Sequence, residues 1–136
     1  MSVDMQKRHL RQMRKLWESE KNETIREIAD CLHCGDSTAI RRFGLGLEYS
    51  PLGNAYTWTI SAGGPGDSFI FYPREYNRGI LKQVQYRFDY FNGSYNHILS
   101  GYDLRLLREV WLQLRLSGAV QKASLEGNYK RMKNMA

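Results

Sequence analysis

The apolar positions near the N-terminus recur every three or four residues, as they do on one face of an amphipathic helix. They are Leu10, Met13, Leu16 and Trp17. The positions between them carry five cations, which are Lys7, Arg8, Arg11, Arg14 and Lys15. This pattern predicts a first helix within residues 3–20. Its cations either form a solvated face or contact phosphate groups.

A second apolar stripe begins after residue 24. Thr24 and Glu27 have the spacing of a capping box, in which a Thr hydroxyl accepts from the open N–H groups of a new helix. The stripe that follows consists of Ile25, Ile28, Ala29 and Leu32. The periodicity breaks at residues 33–36 and restarts over residues 37–43. The sequence therefore predicts two helices joined by a short turn.

From residue 44 the spacing changes from helical to alternating. Two runs rich in β-branched and aromatic residues flank a Pro/Gly/Asn segment at residues 51–54. This arrangement predicts a β-hairpin over residues 45–60. The glycine-rich residues 61–67 predict a loop, and residues 68–72 predict a short strand that ends at Pro73.

The second half has mainly helical spacing. Over residues 74–91 one helical face collects Ile80, Val84, Phe88 and Phe91. Residues 104–116 are apolar nearly all round, which places that helix either in the centre of the core or in an oligomer interface. The polar and basic tail from residue 122 predicts a weak helix.

Length and charge limit the possible classes of protein. The 136 residues suit one domain or two very small lobes. No apolar run approaches the length of a membrane span, and the N-terminus has no apolar signal-peptide core, so we expect no membrane association. The net charge of +6 favours an anionic partner. Residues 1–50 carry nine basic and eight acidic side chains, so most of this excess lies in the second half.

The sequence contains no set of residues that predicts catalysis, a metal site or a cofactor. Cys31 and Cys34 could be half of a zinc site, but no second ligand pair has metal spacing. The carboxylates form no motif with histidine, so we expect no enzyme activity. Two free thiols favour a reducing compartment, and hence the cytoplasm.

Residues 24–43 resemble the helix-turn-helix of bacterial transcription regulators. The matching positions are Thr24, Glu27, Ile28, Ala29, Leu32, Ser37, Thr38 and Arg41. The predicted hairpin after them extends the resemblance, over residues 5–60, to winged-helix proteins. His33 and Cys34 depart from the usual turn, where Gly and a larger aliphatic residue stand, and the wing tip lacks Lys and Arg.

The resemblance implies an α+β fold with a winged helix-turn-helix N-terminal half and a mainly helical C-terminal half. Residues 1–62 would form the DNA-binding region. Residues 63–136 would form a helical region for dimerisation or partner binding. The helix at residues 104–116 would supply the interface of a homodimer. Its predicted contact residues are Leu104, Leu107, Val110, Trp111 and Leu114.

The resemblance also implies a function, namely sequence-specific binding of double-stranded DNA in transcriptional regulation. A recognition helix would enter the major groove. The expected DNA-binding residues are Arg26, Asp36, Ser37, Thr38, Ile40, Arg41, Arg42 and Asn54. Two alternatives remain open. One is a plasmid or phage replication or partition factor, and the other is a winged-helix adaptor that binds a protein partner without binding DNA. The C-terminal helices are the candidate surface for a protein partner.

Overall fold

The computed structural model describes residues 2–36, 38–61, 66–90 and 93–135. Two helices come first, five strands follow, and two helices end the chain. In chain order the elements are α1 (Val3–Leu32), α2 (Ala39–Phe43), β1 (Gly46–Ser50), β2 (Ala55–Ser61), β3 (Gly66–Arg74), β4 (Asn77–Tyr90), β5 (Gly93–Ile98), α3 (Gly101–Leu116) and α4 (Ala119–Met135).

The five strands form one antiparallel sheet in which each strand pairs with its neighbour along the chain. Because side chains alternate between the faces of a strand, the register collects large aromatic residues on one face. Trp58 pairs with Phe69, which pairs with Tyr86 on the next strand. These three residues belong to a single core that includes buried residues of all four helices. The helices therefore cover one face of the sheet.

The structure contradicts the predicted winged-helix fold at its first helix. Helix α1 runs unbroken through residue 24, where a new helix was expected to begin. Residues 3–32 contain no Gly or Pro that would end it. The Thr24 hydroxyl does not cap a helix but donates to Asp67 Oδ2 over 2.8 Å. Helix α2 has only five residues, so the paired helices of a helix-turn-helix are not formed.

The predicted mainly helical C-terminal half is also wrong, because three strands lie within residues 66–98. Residues 74–91, predicted to be helical, contain strand β4. Val84 and Phe88 are four residues apart, a spacing that fits a helix and equally fits one face of a strand. Pairing with β3 on one side and β5 on the other selects the strand. The predicted hairpin does form, but as the first two strands of the five-stranded sheet.

The two C-terminal helices complete the core. Helix α3 forms where a helix was predicted and buries one face in the core, while Leu112 and Leu116 are exposed. The indole of its Trp111 donates to the backbone oxygen of Arg78 over 2.6 Å. Helix α4 packs on β1 through Gly127. The predicted boundary between residues 62 and 63 lies outside the described residues; β2 before it and β3 after it pair along most of their length.

Gly127 is required for the close approach of α4 to the sheet. A Cβ atom at this position would overlap the backbone oxygen of Tyr49. We therefore expect Gly127→Ala to lower the free energy of unfolding by about 1–3 kcal/mol, measured by urea denaturation. Asn128→Ala, on the exposed side of the same helix, should change it by less than about 0.5 kcal/mol. A Gly127→Ala protein more stable than wild type would mean that helix propensity alone governs this position.

Candidate nucleic-acid interface

The N-terminal part of α1 is exposed over several turns. Every residue from 2 to 12 is exposed, and Met13 is the first buried residue of the helix. Ser2 begins the helix by accepting a hydrogen bond from the backbone N–H of Met5 over 3.2 Å. The 30 residues of α1 span about 45 Å. This part of the helix is therefore accessible to a large ligand.

Five cations of α1 share one face, which we name the basic face. At 100° per residue they fall within an arc of about 120°. They are Lys7, Arg8, Arg11, Arg14 and Lys15, and all five are exposed. Met13 belongs to the core and Leu16 and Trp17 pack against it, on the opposite side of the helix. The basic face consequently points away from the body of the protein.

Several of these cations lie one helical turn from one another and repel. Each pair of like charges three or four residues apart destabilises a helix by about 0.2–0.5 kcal/mol. The like-charged pairs at this spacing are Lys7 with Arg11, Arg8 with Arg11, Arg11 with Arg14, and Arg11 with Lys15. In the part of the chain that the structure describes, Arg14 alone among the five has an acidic partner, Glu18 at 3.0 Å. A bound anionic ligand would relieve this repulsion.

The order of charges along α1 suits the helix dipole only at Asp4, in the first turn. A helix favours acidic residues near its N-terminus and basic residues near its C-terminus. In α1 Asp4 occupies the first turn, but five of the seven Lys and Arg residues lie in the first half, and the last turn contains Asp30 and no basic residue. The helix dipole therefore does not account for the basic face.

Three of the residues predicted to bind DNA contact one another, two in the turn before α2 and one in α2 itself. Asp36 accepts hydrogen bonds from the backbone N–H of Thr38 at 2.9 Å and from its hydroxyl at 2.8 Å, and it forms an ion pair with Arg42. The backbone hydrogen bond from Thr38 is the main cause that lowers the pKa of Asp36. Ser37, a fourth predicted residue, lies outside the described residues.

The remaining predicted DNA-binding residues occupy separate places. Ile40 is buried in the core. Arg41 lines a groove with Lys122 of α4, on the side of the molecule formed by β1. The Asn54 amide donates to the backbone oxygen of Pro73 and its carbonyl accepts from Tyr49, so this side chain holds a turn. Arg26 is exposed on α1, on the edge of the helix that continues the basic face.

The residues predicted to form a dimer interface lie mostly inside the single chain. Four of them belong to the core, namely Leu107, Val110, Trp111 and Leu114, and Leu104 packs against it. The four core residues have almost no surface to offer a second copy. A contact between copies would need a different face.

A buried carboxylate that sequence analysis did not single out fixes α1 to the sheet. Asp67 is 3% exposed and accepts hydrogen bonds from the hydroxyls of Thr24, Tyr86 and Ser61 at 2.8, 3.1 and 2.6 Å. Burial and the nearby Asp67 charge raise the pKa of Glu20 on α1. The only sequence signal was a lone Asp beside a strand, so the site became visible only in the fold.

The described residues contain no group of three His, Cys, Asp or Glu side chains placed to hold a metal ion. Within those same segments, no helix is both long enough and apolar enough to cross a bilayer. Comparisons of the chain with protein-family models, with curated proteins and with solved structures gave no match.

Proposed function

We propose that the protein binds the phosphate backbone of double-stranded nucleic acid through the basic face of α1. The observation that carries the proposal is the concentration of five exposed cations on one side of an exposed helix. Neutralising phosphates with Lys and Arg releases condensed counterions, which supplies most of the affinity in sequence-independent binding. Phosphate binding would also relieve the repulsion among the five cations.

The dimensions of the helix suit such a ligand. Lys7 and Lys15 are about 12 Å apart along the axis of α1. A duplex carries one phosphate charge for about every 1.7 Å of its axis, so several phosphates lie within that distance. A helix about 10–12 Å in diameter can also enter a major groove about 12 Å wide. Because residues 2–12 are all exposed, this part of α1 can reach both the phosphate backbone and the major groove.

The proposal concerns backbone binding rather than base readout. Phosphate contacts fix the position of a protein on a duplex, whereas contacts with base edges determine sequence preference. The residues expected to read bases do not support such contacts, because α2 has five residues, Ile40 is buried and Arg42 is paired with Asp36. Sequence-specific regulation of transcription is accordingly not part of the proposal. The free thiols of Cys31 and Cys34 support a cytoplasmic location.

The test is a titration of fluorescent 20-base-pair DNA with the full chain at several salt concentrations. If four or five cations contact phosphates, the slope of log Kobs against log salt should be about −3.6 to −4.5. Single-stranded DNA of the same length should give a shallower slope, because each phosphate contact contributes about 0.7 on a single strand and about 0.9 on a duplex. No binding to the duplex, or binding only to vesicles of anionic phospholipid, would contradict the proposal.

A further inference from the structure

Helix α4 has an apolar stripe on the side that faces away from its own chain. Its inner face packs on β1 through Gly127 and on the core through Val120 and Ala123. On the outer face Leu125, Tyr129 and Met132 are 73%, 67% and 70% exposed. These three residues are spaced by four and then three positions, so they form one continuous line along the helix.

We propose that this outer face binds the same face of a second copy of the chain, with the two α4 helices antiparallel. The stripe has the spacing of the seam of a two-stranded coiled coil, with Tyr129 between two smaller apolar residues. In a two-fold pair, Leu125 of each copy lies near Met132 of the other, because an isologous interface brings residue i to residue j and residue j to residue i. The stripe is thus complementary to itself.

Charge complementarity selects the second copy and its direction. Glu126 and Lys133 both flank the stripe on the same side, one at each end of it. In the antiparallel arrangement the flank of one helix meets the same flank of its partner. Glu126 of each copy then faces Lys133 of the other, which gives two such contacts across the two-fold axis. A parallel pair would instead set this flank against the opposite one, where Gln121 and Asn128 carry no charge.

Both charged residues are exposed on α4. Among the residues that the structure describes, the ion pairs within 4 Å do not include Glu126 or Lys133. Both remain available to a partner. The dimer would place two basic faces in one particle, and simultaneous binding would raise the apparent affinity for long DNA. That consequence alone rests on the proposed function, whereas the dimer itself does not.

A charge-exchange experiment tests the interface by sedimentation equilibrium, in the absence of nucleic acid. Glu126→Lys and Lys133→Glu each create two like-charged contacts, and we expect each to raise the dimer dissociation constant about 10-fold. The double exchange restores opposite charges and should return the constant to within about 3-fold of wild type. If the double exchange instead weakens the dimer by the combined effect of the two single substitutions, the antiparallel arrangement is overturned.

A second variant tests the apolar stripe. Leu125→Ser removes the contact between Leu125 and Met132 of the other copy at both ends of the stripe, and we expect it to raise the dissociation constant at least about 30-fold. Ile98→Ser is the control, because Ile98 is 58% exposed on β5, at the opposite edge of the sheet from β1, on which α4 packs. Circular dichroism establishes that each variant is folded. A wild-type chain that stays monomeric up to about 1 mM, or a Leu125→Ser protein that dimerises as tightly as wild type, would overturn the proposal.

Discussion

Neutralising four cations of the basic face should lower the affinity for duplex DNA about 4,000-fold in about 0.1 M salt, because each phosphate contact adds about 0.9 to the salt slope. We name this protein the basic-face variant; it carries Lys7→Gln, Arg8→Gln, Arg11→Gln and Lys15→Gln. Arg14 is kept because it already has an acidic partner. Glutamine has a helix propensity close to that of lysine and arginine, so α1 should remain folded. Fluorescence anisotropy with a 20-base-pair duplex measures the loss.

Substitutions in α2 separate this account from recognition-helix binding. Arg42 is paired with Asp36, and Arg41 lies in a groove beside α4. We expect Arg41→Ala and Arg42→Ala each to weaken duplex binding by less than about 10-fold, at most one phosphate contact. A loss of both affinity and sequence preference in these two variants, with little effect of the basic-face variant, would place the binding site on α2.

Removing the buried carboxylate should have the largest effect on stability. Asp67→Ala leaves the hydroxyls of Thr24, Tyr86 and Ser61 without their acceptor in or near the core. Hydrogen bonds to a charged group contribute about 1.5–3 kcal/mol each, and unpaired buried groups carry a desolvation cost. Because such effects are not additive, we expect the free energy of unfolding to fall by about 3–5 kcal/mol. The free energy of unfolding is measured by chemical denaturation, with tryptophan fluorescence as the signal.

Asp89 provides a matched control for Asp67. It accepts hydrogen bonds from Arg87 and Ser94 at 3.1 and 2.6 Å, but its side chain is about half exposed. Water can replace those partners, so Asp89→Ala should cost less than about 1 kcal/mol. Equal losses in the two variants would show that the buried network does not hold α1 to the sheet.

The same network gives the fold a dependence on alkaline pH. Burial, followed by the charge of Asp67, raises the pKa of Tyr86 above its ordinary value. The unfolded chain therefore releases the Tyr86 proton first. The stabilisation from the neutral phenol is complete below about pH 10 and is lost as the pH rises above that value. Tyr86→Phe should reduce this dependence in unfolding measurements near pH 10–11.

The sequence predicted the elements whose signals are local. The β1–β2 hairpin has a turn segment between two alternating runs, and α3 has a long apolar pattern. Strand β4 was mistaken for a helix because the spacing of Val84 and Phe88 fits both structures. Only its pairing with β3 and β5, which depends on distant residues, decides between them.

The candidate site was predictable only in part. The cations of α1 and their helical spacing are visible in the sequence, and the structure adds that they share one exposed face. The resemblance over residues 24–43 was misleading, because a capping pattern at Thr24 does not break a helix that contains no Gly or Pro. The Thr24 hydroxyl instead donates a hydrogen bond to Asp67, 43 residues away along the chain. No local pattern could indicate that contact.

The central claim is that the cations of α1, rather than net charge, bind the duplex. A control variant makes the same change in net charge with exposed cations elsewhere. It carries Lys82→Gln, Arg105→Gln, Arg108→Gln and Lys130→Gln. The decisive measurement is the salt slope of duplex binding for the two variants side by side. We predict that the basic-face variant loses about 3.6 of the wild-type slope and that the control variant loses less than about 1. Equal losses, or a basic-face variant that keeps the wild-type slope, would contradict the account.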